Sequence, residues 1–494
     1  MSGINPEDWF LTSNETRLQP AHTSDNTLVA LVDGRGYMST LLRRLQRTSP
    51  GGQVNVAGWR LTPQTHLLGN TANSPSIGDV VGDLVNAGVT VRSLLWFVPG
   101  TIGNFGAGHG AENLEMTQLL ESLGQQAVLD SRLPSGTFAS HHHKFIVVSD
   151  ATGQTAFIGG IDIAPDRWDG PQHNEPNERE RELFDGWHDV QAMVEGPAVR
   201  QLWESFAERW NDPRQPSSAP LTAGNSRPEL MTERPDPGAT GTCHVQVLHT
   251  YPCRSVDNAL SRDEEFYPFA PAGDRSYEAG LVKAINAAEF FVYLEDQYLW
   301  PCLVVDALTA AIARGVSVIC LLTNNYDVDG LRPYHNFLRQ SCLDQLRSVD
   351  PSRVFAFHLQ QNGRGGDDIY VHSKTLIIDD RYAVIGTGNI NRRSMTTDTE
   401  IAVAVVDSDV VDSVIGGQTI QVGAFVNNYR ATLWREHLGI PIEDPLNRDG
   451  SPAGWPTELA QQVNHVLVHE VPQPCFCRPS FIPFVLMNPE TTCQ

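Results

Sequence analysis

A chain of 494 residues has room for two or more domains with large buried cores. Lys+Arg 35 against Asp+Glu 58 leaves a net charge of −23, which repels polyanions and speaks against a general nucleic-acid coat. Gly 41 and Pro 32 fall short of low-complexity disorder, and no apolar run approaches the ~18 residues of a membrane-spanning helix. The N-terminal stretch Met1, Ser2, Gly3, Ile4, Asn5, Pro6 lacks a basic region followed by an apolar one. A cytoplasmic location is therefore expected over export.

In chain order, the first half is predicted to run from a strand near 54–59 to an amphipathic helix over 77–86 and a buried strand over 87–96. Further strands follow at 140–148 and 155–163. The second half repeats this pattern. Residues 314–323 fall on 87–96, and 382–390 fall on 155–163, both at an offset of 227. Residues 371–378 align with 140–148 at an offset of 230, and 291–296 correspond loosely to 54–59. Four blocks in one order imply a duplicated α/β unit.

Between the copies lies a stretch rich in Pro, Ser, Gly and Thr that reads as a linker. The expected domains are thus 1–212 and 243–470, with a linker at 213–242 and a Cys- and Pro-bearing tail at 471–494. Irregular stretches at 99–110, 165–186 and 360–368 read as loops rimming a cleft. All eight Cys lie between Cys243 and Cys493, too sparse for a disulfide scaffold. Cys302 and Cys320 read as buried thiols, and Cys475, Cys477 and Cys493 as the one bridging or metal set to consider.

The chemistry sits on two His-x-Lys patterns, His142-x-Lys144 and His372-x-Lys374, each followed by apolar strand residues. Alternation along a strand turns each imidazole and ammonium to one side. Two buried lysines need an anion, and a shared anionic ligand at the interface of the halves supplies it. Two imidazoles and two ammonium groups around one pocket suit phosphoryl transfer. One His attacks phosphorus, the other protonates the leaving oxygen, and the lysines neutralise the remaining oxygens.

In the second copy, Asp379 follows five residues after Lys374, and Gly386-Thr387-Gly388-Asn389 follows further on. This resembles the phospholipase D superfamily, with its duplicated His-x-Lys-x4-Asp signature. The first copy departs from it: Ser149 stands where Asp is expected, with Asp150 one residue later. Gly159-Gly160-Ile161-Asp162, Trp187-His188-Asp189-Val190, Glu295-Asp296-Gln297-Tyr298 and the segment from Leu433 to Gly439 resemble its eukaryotic-like branch.

The resemblance implies two similar α/β sandwich domains related by a pseudo-twofold axis. It also implies a covalent phosphohistidine mechanism with no cofactor or obligatory metal, His142 as nucleophile, His372 as general acid, and Asp379 among the catalytic residues.

Each imidazole needs an acceptor on its other ring nitrogen. Asp189 is expected to orient His142, and Glu400 to orient His372. Asn389, Gly160, Thr387, Glu295 and Asp162 are the expected substrate-binding set, with Asp162 alternatively bracing a lysine. His141 and His143 share one face and carry no accompanying carboxylate or Cys motif, so no metal set is assigned to them.

The expected reaction is hydrolysis or transphosphatidylation of a phospholipid head group, in a monomer that touches membranes transiently. A nuclease on the same scaffold and a non-catalytic phosphate-binding module are the rivals. The negative charge and the absence of a basic arm with interleaved aromatics argue against a nucleic-acid partner.

Overall fold

The structure, a computed structural model, describes residues 4–69, 73–97, 107–133, 139–173, 186–212, 229–253, 256–257, 264–324, 332–361, 368–455, 461–463 and 466–470. Most of the three expected rim loops, the linker up to residue 228 and the tail lie outside the described residues. No described helix is long and apolar enough to cross a membrane.

The first half contains β1 (Thr23–Val32), α1 (Asp33–Leu45), β2 (Gln53–Gly58), α2 (Ile77–Asn86), β3 (Thr90–Trp96), α3 (Ala107–Ser122) and β4 (Gln126–Asp130). It continues with β5 (Phe145–Asp150), β6 (Gly153–Gly159), β7 (Gly186–His188), β8 (Val190–Glu195) and α4 (Ala198–Trp210). The second half contains β9 (Cys243–Thr250), the short strands β10 (Val256–Asp257) and β11 (Glu264–Glu265), α5 (Ser276–Ala287), β12 (Phe291–Asp296), α6 (Leu303–Ala313), β13 (Ser317–Leu322) and α7 (Arg332–Arg347). Then come β14 (Val354–Gln361), β15 (Asp368–Val371), β16 (Thr375–Ile378), β17 (Tyr382–Gly386), α8 (Arg392–Thr396) and β18 (Glu400–Asp407). The last described elements are the β19 (Val410–Ile415) and β20 (Gln418–Gly423) hairpin, α9 (Ala424–Leu438), β21 (Gln461–Val463) and β22 (Val466–Glu470).

The duplication is explicit in the strand order. The first sheet runs β1-β8-β6-β5-β2-β3-β4. The second runs β9-β18-β17-β16-β12-β13-β14. In each, only the last two pairings are parallel. The antiparallel contact of β1 with β9 and the parallel contact of β7 with β15 join the sheets.

Period-two alternation then builds three apolar layers. On β5, Phe145 and Val147 face a central core, while Ile146 and Val148 face α1, α2 and α3. On β18, Ile401, Val403 and Val405 face the same central core, and Ala402, Ala404 and Val406 face α5, α6 and α7. The inner faces of both sheets, with α4 and α9, therefore share one core. This is the expected α/β sandwich in two similar copies.

Local signals account for several boundaries. Ser76 caps α2, its side chain accepting from Asp79 N while Asp79 returns a bond to the Ser76 backbone, so the helix starts at Ile77. The helix α9 starts at Ala424, because Val422 and Gly423 still pair in β20. It stops at Gly439, whose φ of 66° favours glycine. The end of the expected linker is fastened down: Met231 packs into the central core, and Trp210 Nε1 donates to Glu229 O at 2.9 Å.

Candidate active site

The two His-x-Lys patterns do not lie inside strands as expected. They occupy irregular steps, residues 142–144 just before β5 and 372–374 between β15 and β16. At these steps the backbone pairs across the molecule instead. Thr399 N donates to Ser140 O, and His142 N donates to Thr399 O, both at 3.0 Å. On the other side, β15 runs beside β7 with Val371 opposite His188, and His372 N donates to His188 O at 2.8 Å.

This exchange decides which acid meets which histidine. His142 Nδ1 lies 3.1 and 3.0 Å from Glu400 Oε1 and Oε2. His372 Nδ1 lies 2.6 Å from Asp189 Oδ2. The expected partnership is therefore reversed, and each imidazole is oriented by a carboxylate of the opposite half. With Nδ1–H donating to a carboxylate, Nε2 is left as the reactive nitrogen of each ring.

The acids are themselves held. Thr387 Oγ1 donates to Glu400 Oε2 at 2.6 Å and accepts from Ile401 N at 3.0 Å, so Thr387 braces Glu400 rather than binding substrate. Val190 N donates to Asp189 Oδ1 at 2.8 Å. Gly160, the repeat counterpart of Thr387, leaves room for that carboxylate, because a Cβ there would collide with Asp189 Oδ1. Its expected substrate contact becomes a packing requirement.

Lys144 Nζ sits 3.6 Å from Asp162 Oδ2 and 5.5 Å from the centre of the Trp59 ring. Asp162 Oδ1 accepts from Arg60 N at 2.9 Å, so Asp162 braces a lysine. Lys374 donates to Gln297 Oε1 at 3.2 Å and to the His372 carbonyl. Asn389 is buried, and its Oδ1 has no hydrogen-bond partner among the described residues.

Burial, followed by the nearby cationic groups, holds both imidazoles well below their usual range, so both are neutral in the absence of a bound anion. His142 feels Lys374 as well as Lys144. His372 feels Lys374, Arg167, Lys144 and His142. The four motif groups thus share one electrostatic neighbourhood. Burial also pushes Lys374 down to about 8 and Glu400 up to about 7, and it raises Asp189.

Two expected residues stand apart. Asp379, at the far end of β16 from Lys374, accepts from the backbone N–H groups of Glu289, Phe290 and Phe291 at 2.7, 2.9 and 2.7 Å. It ties the entry of β12 and makes no contact with either histidine, so its expected catalytic role gives way to a structural one. Asp150 acts similarly in the first copy, accepting from Ser49 N ahead of β2 at 2.8 Å and from Thr152 N at 2.9 Å. The missing Asp at 149 is replaced one residue on.

Glu295 faces away from the lysines. Its carboxylate lies 3.0 Å from His188 Nε2 and 3.1 Å from His437 Nε2, and it accepts from Tyr293 OH at 2.7 Å. Its neighbour Asp296 faces the other way and feels Lys374, while accepting from Ile390 N at 2.9 Å.

Sequence reasoning missed Gln297, Trp59, Trp187 and Arg167. The Trp187 ring lies 4.9 Å from that of His372, centre to centre. The Arg167 guanidinium sits over Trp187 at 3.7 Å. Gln297 and Trp187 lie inside the family-like segments, but nothing in their spacing marks them.

The family model for phospholipase D matches residues 52–302 and 344–455, which include both His-x-Lys steps and both orienting acids. The chain belongs to the phospholipase D family. Phospholipase D1 of Schizosaccharomyces pombe is 27% identical over 85% of this chain and 36% of its own length. Phospholipase D1 of Saccharomyces cerevisiae is 25% identical over 84% of this chain and 29% of its own length. Phospholipase D gamma 1 of Arabidopsis thaliana is 24% identical over 93% and 70%, respectively. The chain thus spans about a third of the length of the two yeast relatives.

Among solved structures, phosphatidylserine synthase of Haemophilus influenzae superposes with a TM-score of 0.51 at 12% identity, covering 77% of this chain and 82% of that one. That likeness concerns the fold.

Proposed function

We propose that this phospholipase D family member is a phosphodiesterase that cleaves a phospholipid at its head-group phosphodiester and passes the phosphatidyl group to water or an alcohol. The observation that carries this reading is the crossed pair of imidazole–carboxylate contacts, with both lysines in the same electrostatic neighbourhood. An arriving phosphodiester reverses the field around the imidazoles, because its negative charge offsets the two ammonium groups that keep them neutral.

His142 Nε2 then attacks phosphorus. The P–O bond to the head group breaks, and protonated His372 gives its Nε2 proton to the leaving oxygen. In the second step, neutral His372 takes a proton from water or an alcohol. That oxygen attacks phosphorus, and the P–N bond to His142 breaks. Lys144 and Lys374 balance charge on the non-bridging oxygens throughout.

Incubation with phosphatidylcholine vesicles and a primary alcohol tests the reading. Phosphatidyl-alcohol supports it. Cleavage of DNA without any lipid product replaces it with the nuclease, and inertness on all diesters with the binding module. In the His372→Asn variant, a substrate whose leaving group departs without a proton, phosphatidyl-p-nitrophenol, should leave the phosphatidyl adduct on the peptide containing His142. An adduct on any other residue would overturn the assignment of the nucleophile.

A further inference from the structure

A second group of ionisable side chains lies under the second half-site and takes no part in the chemistry above. Asp33 opens α1, His173 follows the turn after Pro165–Arg167, His188 ends β7, and Glu436 lies in the last turn of α9. Asp33, His173 and His188 are fully buried, and the side chain of Glu436 is 6% exposed. One donor atom from each lies within 4.8 Å of all the others.

Individual separations are 3.1 Å for His188 Nδ1 to Asp33 Oδ1, 3.0 Å for His188 Nδ1 to Glu436 Oε1, and 3.6 Å for His173 Nε2 to Glu436 Oε1. Four ligands around a tetrahedral zinc ion at ~2.0–2.1 Å are ~3.3–3.4 Å from one another. The three separations straddle that edge.

Hydrogen bonding alone fits this geometry poorly. His188 Nδ1 faces two carboxylate oxygens with at most one proton to give. Asp33 Oδ2 is buried and accepts no hydrogen bond among the described residues. The outward ring nitrogens have the partners that metal-bound imidazoles have. His188 Nε2 lies 3.0 Å from Glu295 Oε2, and His173 Nδ1 lies 3.4 Å from Asp169 Oδ2. Both acids are fixed in turn, Glu295 by the Tyr293 hydroxyl and Asp169 by Trp187 N at 2.8 Å.

We propose that Asp33, His173, His188 and Glu436 hold one divalent transition-metal cation of the zinc type, bound for structure and closed by four protein ligands. Two imidazoles and two carboxylates suit such an ion better than magnesium or calcium, which favour oxygen alone. Three ligands come from the first half and Glu436 from the second, so the ion clamps the halves together. It also anchors the platform of His372, since His188 O receives the His372 N–H and Asp189 is the next residue. It touches neither reactive Nε2.

The test uses the full chain without an affinity tag, grown with added zinc, dialysed and analysed for metal by mass spectrometry. One equivalent per chain is expected, falling to background in folded His173→Asn and Glu436→Gln. Cobalt(II) in its place should give the visible bands of a tetrahedral nitrogen–oxygen site, without thiolate charge transfer, and stripping the ion should lower the melting temperature.

A folded wild-type chain that binds no zinc, cobalt or manganese overturns the proposal. So does an equivalent retained undiminished in both variants, or a cobalt spectrum showing thiolate ligation. Should the variants fail to fold, the wild-type stoichiometry and cobalt spectrum decide alone.

Discussion

At the scale of single residues, the two acids serve different rings, and this separates their kinetic signatures. Glu400→Gln leaves Nδ1 of His142 without its charged acceptor, and Asp189→Asn does the same to His372. Each should lower turnover by about 100-fold or more, as loss of an orienting carboxylate does. Single-turnover kinetics should show Glu400→Gln slowing formation of the covalent intermediate, with Asp189→Asn also slowing its breakdown. The reverse assignment would exchange these signatures. His142→Ala and His372→Ala should each abolish activity with the circular dichroism spectrum unchanged.

The pH profile follows from the same groups. Glu400, pushed up to about 7, must be ionised to hold His142. Lys374, pushed down to about 8, must be protonated to meet the phosphate. Activity therefore rises as pH climbs through the first value and falls as it passes the second, giving a narrow bell in kcat/KM. Lys374→Arg, with a group that stays charged, should retain residual activity and lose the alkaline limb.

At the scale of elements, the motif aspartates belong to strand entries rather than chemistry. Asp379→Ala removes the acceptor of three backbone N–H groups ahead of β12. It should cost about 2 to 4 kcal/mol in denaturant unfolding while the folded fraction keeps its turnover. Gly160→Ala should do the opposite, because the added Cβ meets Asp189 rather than the core. Activity should fall sharply with little change in the unfolding midpoint.

These elements also show what a sequence can disclose. The repeat at an offset of 227 carried the doubled strand order, and the paired His and Lys mark the candidate site, because both are local patterns. The partnership of acids and imidazoles is not local. It depends on residues 140–142 lying beside Thr399 and on β15 lying beside β7, and comparing each repeat with itself points to the wrong half. Glu295 is the residue of its segment that enters the expected substrate-binding set, because motif spacing places a segment but not its facing. One step along β12 turns a side chain from the central layer to the outer one.

At the scale of the whole molecule, the halves share one core, and each supplies the acid for the other's imidazole. The inner faces of β5 and β18, with Phe206 on α4 and Leu433 on α9, would be bared if the copies were separated. Two fragments divided within residues 213–228 should be insoluble or inactive when produced singly, and should regain turnover when refolded together. An active single fragment would contradict the crossed arrangement. The backbone exchange that produces this arrangement also constrains how such a protein could have begun. A polypeptide carrying one copy of the repeat would own a histidine and an acid that never meet within the same chain. It would become competent only on encountering a twin, so fusion of two copies makes permanent an encounter that a solitary copy would have to find by diffusion.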